Sequence, residues 1–492
     1  MTRLLTPSLP LLLAAALVAG CPGNDTPVEP DTNEPAATES EMPHVEGLES
    51  LPDENDEVGV VEYTLEIDID EVQLLPGVGA TEVWAYNGMV PGPLMQARVG
   101  ETVRIHVTNR LPEPTTIHWH GLRIDHRMDG VVHGDLPAIA PGETFTYEFV
   151  PPDAGTYWYH PHMRTTVQVE RGLFGMLIVH EREDQRPDVD ADRAFVMDDI
   201  RLNEDGSIAP FAASGMDIVH GRSGNVLTVN GQVDPVGISL AEGGVERWRL
   251  VNTSNAREML FRFPGLEVRE IGSDGGLWPQ EWTRIIDEVS LPVGARTELE
   301  VRLAAGSTGG SLDSMVITQS PLGQLQLSPF TMASVRRADD VIDAPRAGHV
   351  VDMPYEKITS RLDIDERFEL EAYLNAQNQV EMAVNGLPYP DAPVWQVKQG
   401  EMKVIKITNL MPQNGHPFHL HGQFFHIIER DGQPTDEPGW RDTVMIPAGG
   451  GRSVTIATYF DNPGMWMYHC HILEHAEAGM MALMEVTPAD EE

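Results

Sequence analysis

Cysteine is almost missing from this chain: 492 residues contain two, Cys21 and Cys470, so at most one internal disulfide is open to it. Positive charge is scarce as well. Against 76 Asp and Glu stand 33 Lys and Arg, a formal net charge of −43 at pH 7. A field of that sign excludes nucleic acid and anionic membrane surfaces as natural partners and concentrates small cations. No apolar run is long and unbroken enough to cross a membrane; the one candidate, "LLTPSLPLLLAAALVAG", is short and interrupted by Pro7 and Pro10. Helical periodicity is equally rare. Short alternating runs punctuated by Gly and Pro dominate, which is the pattern of an all-β protein. What is present in ordinary measure is apolar residues, 41% of a chain too long for a single core, so several globular domains are expected.

The N-terminus reads as an export signal over residues 1–20, with Arg3 ahead of the apolar stretch. The stretch ends in "LVAGC", which resembles the bacterial lipobox, in which Cys21 becomes the lipidated first residue after cleavage. Residues 22–57 hold twelve acidic side chains and no Lys or Arg, too little apolar surface to fold, so 21–57 is expected to be a flexible tether. The expected location is the bacterial cell envelope, lipid-anchored at Cys21, periplasmic or at the outer membrane. Pro22 stands where the inner-membrane retention pattern has Asp. With Cys21 on lipid, Cys470 has no intrachain partner, and metal ligation is the leading use for its thiol.

A pattern then repeats three times. "YNGMVPGP" opens a unit running from Asn87 to Asn109, "VNGQVDP" one from Asn230 to Asn252, and "VNGLPYP" one from Asn385 to Asn409. Each unit is a turn-forming Asn-Gly, a second Gly, and an alternating strand that ends at Asn. The spacing predicts three similar Greek-key β-sandwich domains, at 58–183, 190–335 and 360–488, with 336–360 as a linker. The first and third share more. "TTIHWHGL" follows Asn109 as "HPFHLHGQ" follows Asn409, and "GTYWYHPH" near the end of the first matches "GMWMYHCH" near the end of the third. The second has no equivalent histidine pair.

There are therefore four His-x-His pairs: His118/His120, His160/His162, His419/His421 and His469/His471. On a strand both histidines of a pair face one way and the middle residue the other. Eight imidazoles aimed at one region suit a cluster of copper ions. In "HCH" the alternation sends Cys470 to the opposite face, toward His416, His475 and Met480. Two histidines, a thiolate and a weak axial thioether make a blue-copper electron-transfer site.

These motifs ("HWHG", "HPH", "HPFHLHG", "HCHILEHAEAGM") resemble those of the multicopper oxidases, in family order and across nearly all of the chain after the tether. The resemblance implies three cupredoxin domains and four coppers per chain: one type 1, one type 2 and two type 3. It implies His416, Cys470 and His475 at type 1, with Met480 axial in preference to Met481, and His118 and His419 at type 2. It implies one type 3 copper on His120, His160 and His471, and the other on His162, His421 and His469. Asp129 matches the family's acid beyond the first motif, a proton donor. Many bacterial members carry Glu directly after the type 1 histidine. Here that position is Ala476, with Glu477 one step on as the candidate second acid.

The implied reaction couples one-electron oxidation of a small reducing substrate to four-electron reduction of O2 to water. The methionine-rich insert that cuprous-oxidase members often carry is absent, since residues 336–384 contain only Met353 and Met382. A laccase-like oxidase of phenols or aromatic amines is therefore expected, with oxidation of Cu(I), Fe(II) or Mn(II) as the alternative, favoured by the acidic field.

Overall fold

The computed structural model describes residues 42–133, 136–211, 215–319, 325–342, 351, 358 and 363–489, and builds them almost entirely from strands. Each of the three repeats shows why it recurs. Asn87, Asn230 and Asn385 take left-handed φ of 51°, 50° and 52°, each followed by a left-handed Gly, the geometry a tight Asn-Gly hairpin turn demands. Their amides pair with the neighbouring strand: Asn87 Oδ1 accepts from Glu66 N at 2.7 Å, Asn230 Oδ1 from Val196 N at 2.7 Å, and Asn385 Oδ1 from Glu369 N at 2.7 Å. The closing residues Asn109, Asn252 and Asn409 are fully buried, and each Nδ2 donates to one carbonyl of the loop just beyond (Glu113, Arg257, Asn414) and to one distant carbonyl (Ile139, Leu291, Pro447). Such a buried amide sets the path of the loop, because leaving it unpaired would cost about 1–3 kcal/mol.

In the first sandwich, Val60–Val72 lies between Thr81–Tyr86 and Thr102–Asn109, with Thr144–Phe149 beyond. The facing sheet runs Gly92–Arg98, Gly175–His180, Gly155–His160 and His118–His120, which places two histidine motifs side by side at its edge. The third sandwich repeats this: Gly464–Cys470 pairs with His416–Leu420, itself flanked by Thr443–Ile446. The middle sandwich, strands Ala191–Ile200 to Leu325–Val341, carries no such motif. Aromatic and aliphatic side chains fill each interior, among them Trp119, Tyr147, Phe149 and Tyr159 in the first and Phe418, Leu420, Trp466 and Tyr468 in the third.

Two expectations need correction. The segment 21–57 is not a free tether throughout. Val45–Glu46 forms a parallel strand against Asp192–Arg193, Leu51 N donates to Leu94 O at 2.9 Å, and Val45 is buried. The acidic composition hid a short apolar series (Val45, Leu48, Leu51) that packs on the first two sandwiches. The linker likewise begins later than residue 336, because Leu325–Val341 continues as one strand. The signal, Cys21, the tether to residue 41 and most of 343–362 lie outside the described residues. Among the described residues three short α-helices occur: α1 (Thr165–Gln168), α2 (Gly215–His220) and α3 (Leu473–Glu477).

Candidate metal centre

Register decides which histidines meet. His118 stands opposite His160 across one antiparallel pair, and His419 opposite His469 across the other. Trp119, Leu420 and Cys470 point into the sandwich cores, as alternation requires. The eight paired histidines converge between the first and third sandwiches, seven of them at most 2% exposed and His162 half-buried. Rings of the two domains touch: His118 stacks on His421 at 4.0 Å between centroids, and His120 on His419 at 3.8 Å.

One nitrogen of most rings is tied to the protein while the other faces inward. Nδ1 of His118 donates to Asp129 O (2.9 Å), of His160 to Pro161 O (2.8 Å), of His419 to Asp442 O (2.9 Å) and of His469 to Cys470 O (2.9 Å). His120 is reversed: Nε2 meets Asp442 Oδ1 at 3.1 Å, leaving Nδ1 inward. The inward atoms of His118, His120, His160 and His419, and both nitrogens of His471, have no hydrogen-bond partner although buried. Buried nitrogens without partners are costly unless a ligand satisfies them, and a ring held through its second nitrogen is how ligating imidazoles are oriented. Burial, then repulsion among neighbouring imidazoles, holds His120, His160, His162, His421, His469 and His471 well below the ordinary histidine range. They are thus neutral at neutral pH, the form a metal takes. The donor set fits copper.

The expected groupings fare as follows. Donor atoms of His162, His421 and His469 lie within 4.8 Å of one another, and His421 Nε2 faces His469 Nε2 at 3.0 Å. His118 and His419 come together with His421. His120 and His160 also come together, but with His118 as third donor; the His471 ring stands 5.0 Å from that of His120 and 5.5 Å from that of His160. On the other face of the strand, Cys470 Sγ lies 3.5 Å from Nδ1 of both His416 and His475, whose nitrogens are 3.2 Å apart. Burial pushes the Cys470 thiol up, so a bound cation is what would deprotonate it. Met480 is fully buried in the same cluster and its carbonyl accepts from Cys470 N at 3.1 Å. Met481 instead lines a cavity of about 190 Å³ that reaches His160, His162 and His469.

Asp129 is 1% exposed and joins the two domains: its carbonyl accepts from His118 and its Oδ2 from His421 Nδ1 at 2.8 Å. Ala476 and Glu477 both border the cavity with Met481. Burial raises the Glu477 carboxyl, and Thr166 Oγ1 donates to it.

Sequence reasoning missed the contribution of the middle sandwich. Arg296, fully buried, donates to Asp442 Oδ1 (2.8 Å) and Oδ2 (2.6 Å), while its own N–H bonds Asp274 Oδ1 at 2.7 Å. Burial works against the Asp442 charge, but Arg296 wins and holds the carboxyl below its usual range; burial and then Asp442 lift Asp274 to about 6. Gly294, at φ +85°, brings the same domain against the rings: a Cβ there would sit 2.9 Å from His471 Cδ2 and 3.0 Å from His120 Cε1. Gly121, at φ +93°, explains the glycine of "HWHG", since a Cβ would meet Arg296 Nη2 at 2.2 Å. No local signal in the middle domain marks Arg296; a buried arginine beside Asp442 emerges only from packing.

Three cupredoxin-like sandwiches, with nitrogen and sulfur donors buried around the junction of the first and third, define a redox-metal protein. Family models described as multicopper oxidase match residues 68–184 and 365–490. A multicopper oxidase of Staphylococcus aureus is 28% identical over 89% of this chain and 91% of its own. A Campylobacter jejuni multicopper oxidase described as a metallo-oxidase superposes with a TM-score of 0.75 at 27% identity, covering 91% of this chain and 96% of that one. A laccase-like Ochrobactrum enzyme with activity towards lignin model compounds does so at 0.74 and 27%, covering 91% and 100%. The chain belongs to the multicopper oxidase family. Membership makes it a copper-binding oxidoreductase that uses O2 and a reducing substrate.

Proposed function

We propose that this protein oxidises a metal ion one electron at a time and passes four electrons to O2. The observation that carries the oxidase reading is the strand Gly464–Cys470 with its continuation to His471, whose two faces carry different donor sets. Copper, when bound, supplies reversible one-electron transfer at the thiolate site and O2 reduction to water at the histidine cluster. The residues that would hold it are His416, Cys470, His475 and Met480 on one face, and on the other His118 and His419 (type 2), His120, His160 and His471, and His162, His421 and His469 (type 3). Asp129 accepts from His118 and His421, which supports it as the candidate proton donor there; Glu477, at the wall of the neighbouring cavity, is the candidate for the second inlet.

The choice of reductant turns on His475. Its Nε2–H donates to Val219 O at 3.2 Å, and the residue is wholly buried beneath α2. A phenol or aromatic amine donates best when it touches the ring edge of this ligand, and here backbone covers that edge. This favours a metal ion over the phenolic substrate expected from the absent methionine-rich insert. The Campylobacter likeness agrees with it, while the Ochrobactrum likeness keeps the phenolic reading in play. Export and anchoring through Cys21 would place the reaction in the cell envelope. Oxygen uptake measured side by side on a phenol, Cu(I), Fe(II) and Mn(II) tests the proposal: faster turnover on a metal ion supports it, and turnover on the phenol alone overturns it.

A further inference from the structure

Residues 314–335, "SMVITQSPLGQLQLSPFTMASV", carry no charged side chain, in a chain of which 22% is charged and whose formal net charge is −43. The described part of this run is a two-stranded arm of the middle sandwich. Gly309–Gln319 pairs antiparallel with Leu325–Val341, from Gly309 opposite Arg336 to Gln319 opposite Leu325. The neighbouring strands of that sheet stop short. Met259–Arg262 reaches Gly309–Gln319 only at Asp313 and Ser314, and Val236–Glu242 meets Leu325–Val341 only from Ala333 onward. Among the described residues, no strand pairs with the outer edge of 315–319 or with that of 325–332. We propose that the 315–319 edge is an interface between two copies of this chain. The two edges pair antiparallel about a two-fold axis, so that two arms make one four-stranded sheet.

The side chains point to that use. Ile317 stands opposite Leu327, and Leu325 lies two residues before Leu327, so the three share one face of the arm. They are 70%, 54% and 77% exposed. Val316 and Phe330, on the other face, pack against the core of the middle sandwich, so the arm is held by one face and displays the other. Natural edge strands are blunted by charge, proline, a bulge or a covering loop. The edge segment "MVITQ" has neither charge nor proline, and the one irregularity of this pair lies between Leu312 and Asp313, before the free edge begins. The opposite strand does carry such a device, Pro329, which is why the 315–319 edge is the one assigned.

The open edge also selects its occupant. Hydrocarbon has no partner for free N–H and C=O groups, and open sheet edges are not found in it, so a bilayer does not suit this arm. An identical strand offers every donor and acceptor needed, and a two-fold contact is self-complementary. Charge agrees: two chains at −43 repel, and an uncharged arm lets them meet without bringing carboxylates together. The middle sandwich supplies none of the candidate metal ligands, so losing the contact should leave both donor sets intact.

Sedimentation velocity on the copper-loaded full chain, in mild detergent and about 0.15 M salt to screen general repulsion beyond about 8 Å, reads the number of chains per particle over a dilution series. Two chains are expected, separating on dilution. Ile317→Lys sets like charges across the two-fold and should weaken the association at least about tenfold, a low figure for like charges brought face to face in an interface. Its oxygen uptake should be unchanged, which shows that the variant is folded. Leu327→Lys, on the same face, serves if Ile317→Lys fails to fold. Amide exchange at 315–319 should slow in the dimer and recover on dilution, because outward N–H groups gain partners. One chain per particle at every concentration, unchanged affinity in the folded variants, or equal exchange in monomer and dimer overturns the proposal. Binding of the Cys21→Ala chain to phosphatidylcholine vesicles that Ile317→Lys abolishes would assign the arm to a membrane and overturns it as well.

Discussion

His469 and Cys470 are neighbours in sequence yet serve opposite faces of one strand: His469 Nε2 meets His421 Nε2 at 3.0 Å, while Cys470 Sγ meets the Nδ1 atoms of His416 and His475 at 3.5 Å. Two donor sets separated by one peptide unit give electrons a short covalent route between them.

That relationship makes Cys470 the residue with no substitute. Cys470→Ser offers no soft thiolate, so the copper-loaded variant should lose its blue colour and its oxygen consumption while keeping the histidine-bound coppers. Visible absorption beside metal analysis checks it. A variant that stays blue contradicts the assignment.

Asp129→Asn keeps the carbonyl that accepts from His118 and an amide oxygen for His421, but removes the exchangeable acid. Copper content and colour should survive while steady-state oxygen consumption falls at least tenfold, a conservative floor for general-acid effects of about 10²–10⁴. Glu477→Gln measured alongside shows whether that residue stands in for the position held by Ala476. Full oxygen consumption by Asp129→Asn at neutral pH removes the proton role.

Arg296→Met leaves Asp442 and Asp274 as adjacent buried carboxylates without their cation. Breaking a buried pair in this way costs about 3–5 kcal/mol, so the denaturation midpoint of the metal-free protein should drop clearly, and copper retention with it. An unchanged midpoint would mean that solvent already reaches the pair.

The candidate metal donors were legible in the sequence because strands expose their register directly: with a period of two, His-x-His is a statement about one face, and the four pairs meet between the first and third sandwiches. The repeat was legible for a related reason, since each unit begins and ends on an Asn whose amide has a fixed structural task at the turn or the loop. Arg296, Asp274 and the capping of His475 by Val219 were not legible. They join residues 146, 168 and 256 positions apart and depend on how sandwiches dock, which composition and periodicity do not encode. The segment 42–57 was misread because charge outweighed three apolar residues whose partners lie elsewhere in the chain.

Membrane attachment should depend on Cys21. An acidic segment has no affinity of its own for anionic lipid, so under the proposed anchoring retention rests on lipid at Cys21. Cys21→Ala should release active enzyme from washed membranes or block processing; the folded variant remaining in those membranes refutes the anchor.

Copper stoichiometry tests the central claim most directly. Purified protein loaded to saturation and freed of loosely held ions should contain four coppers per chain and be blue, because the proposed assignment divides the buried donors into one thiolate site and a histidine cluster for three ions. Two coppers per chain at full loading would contradict it.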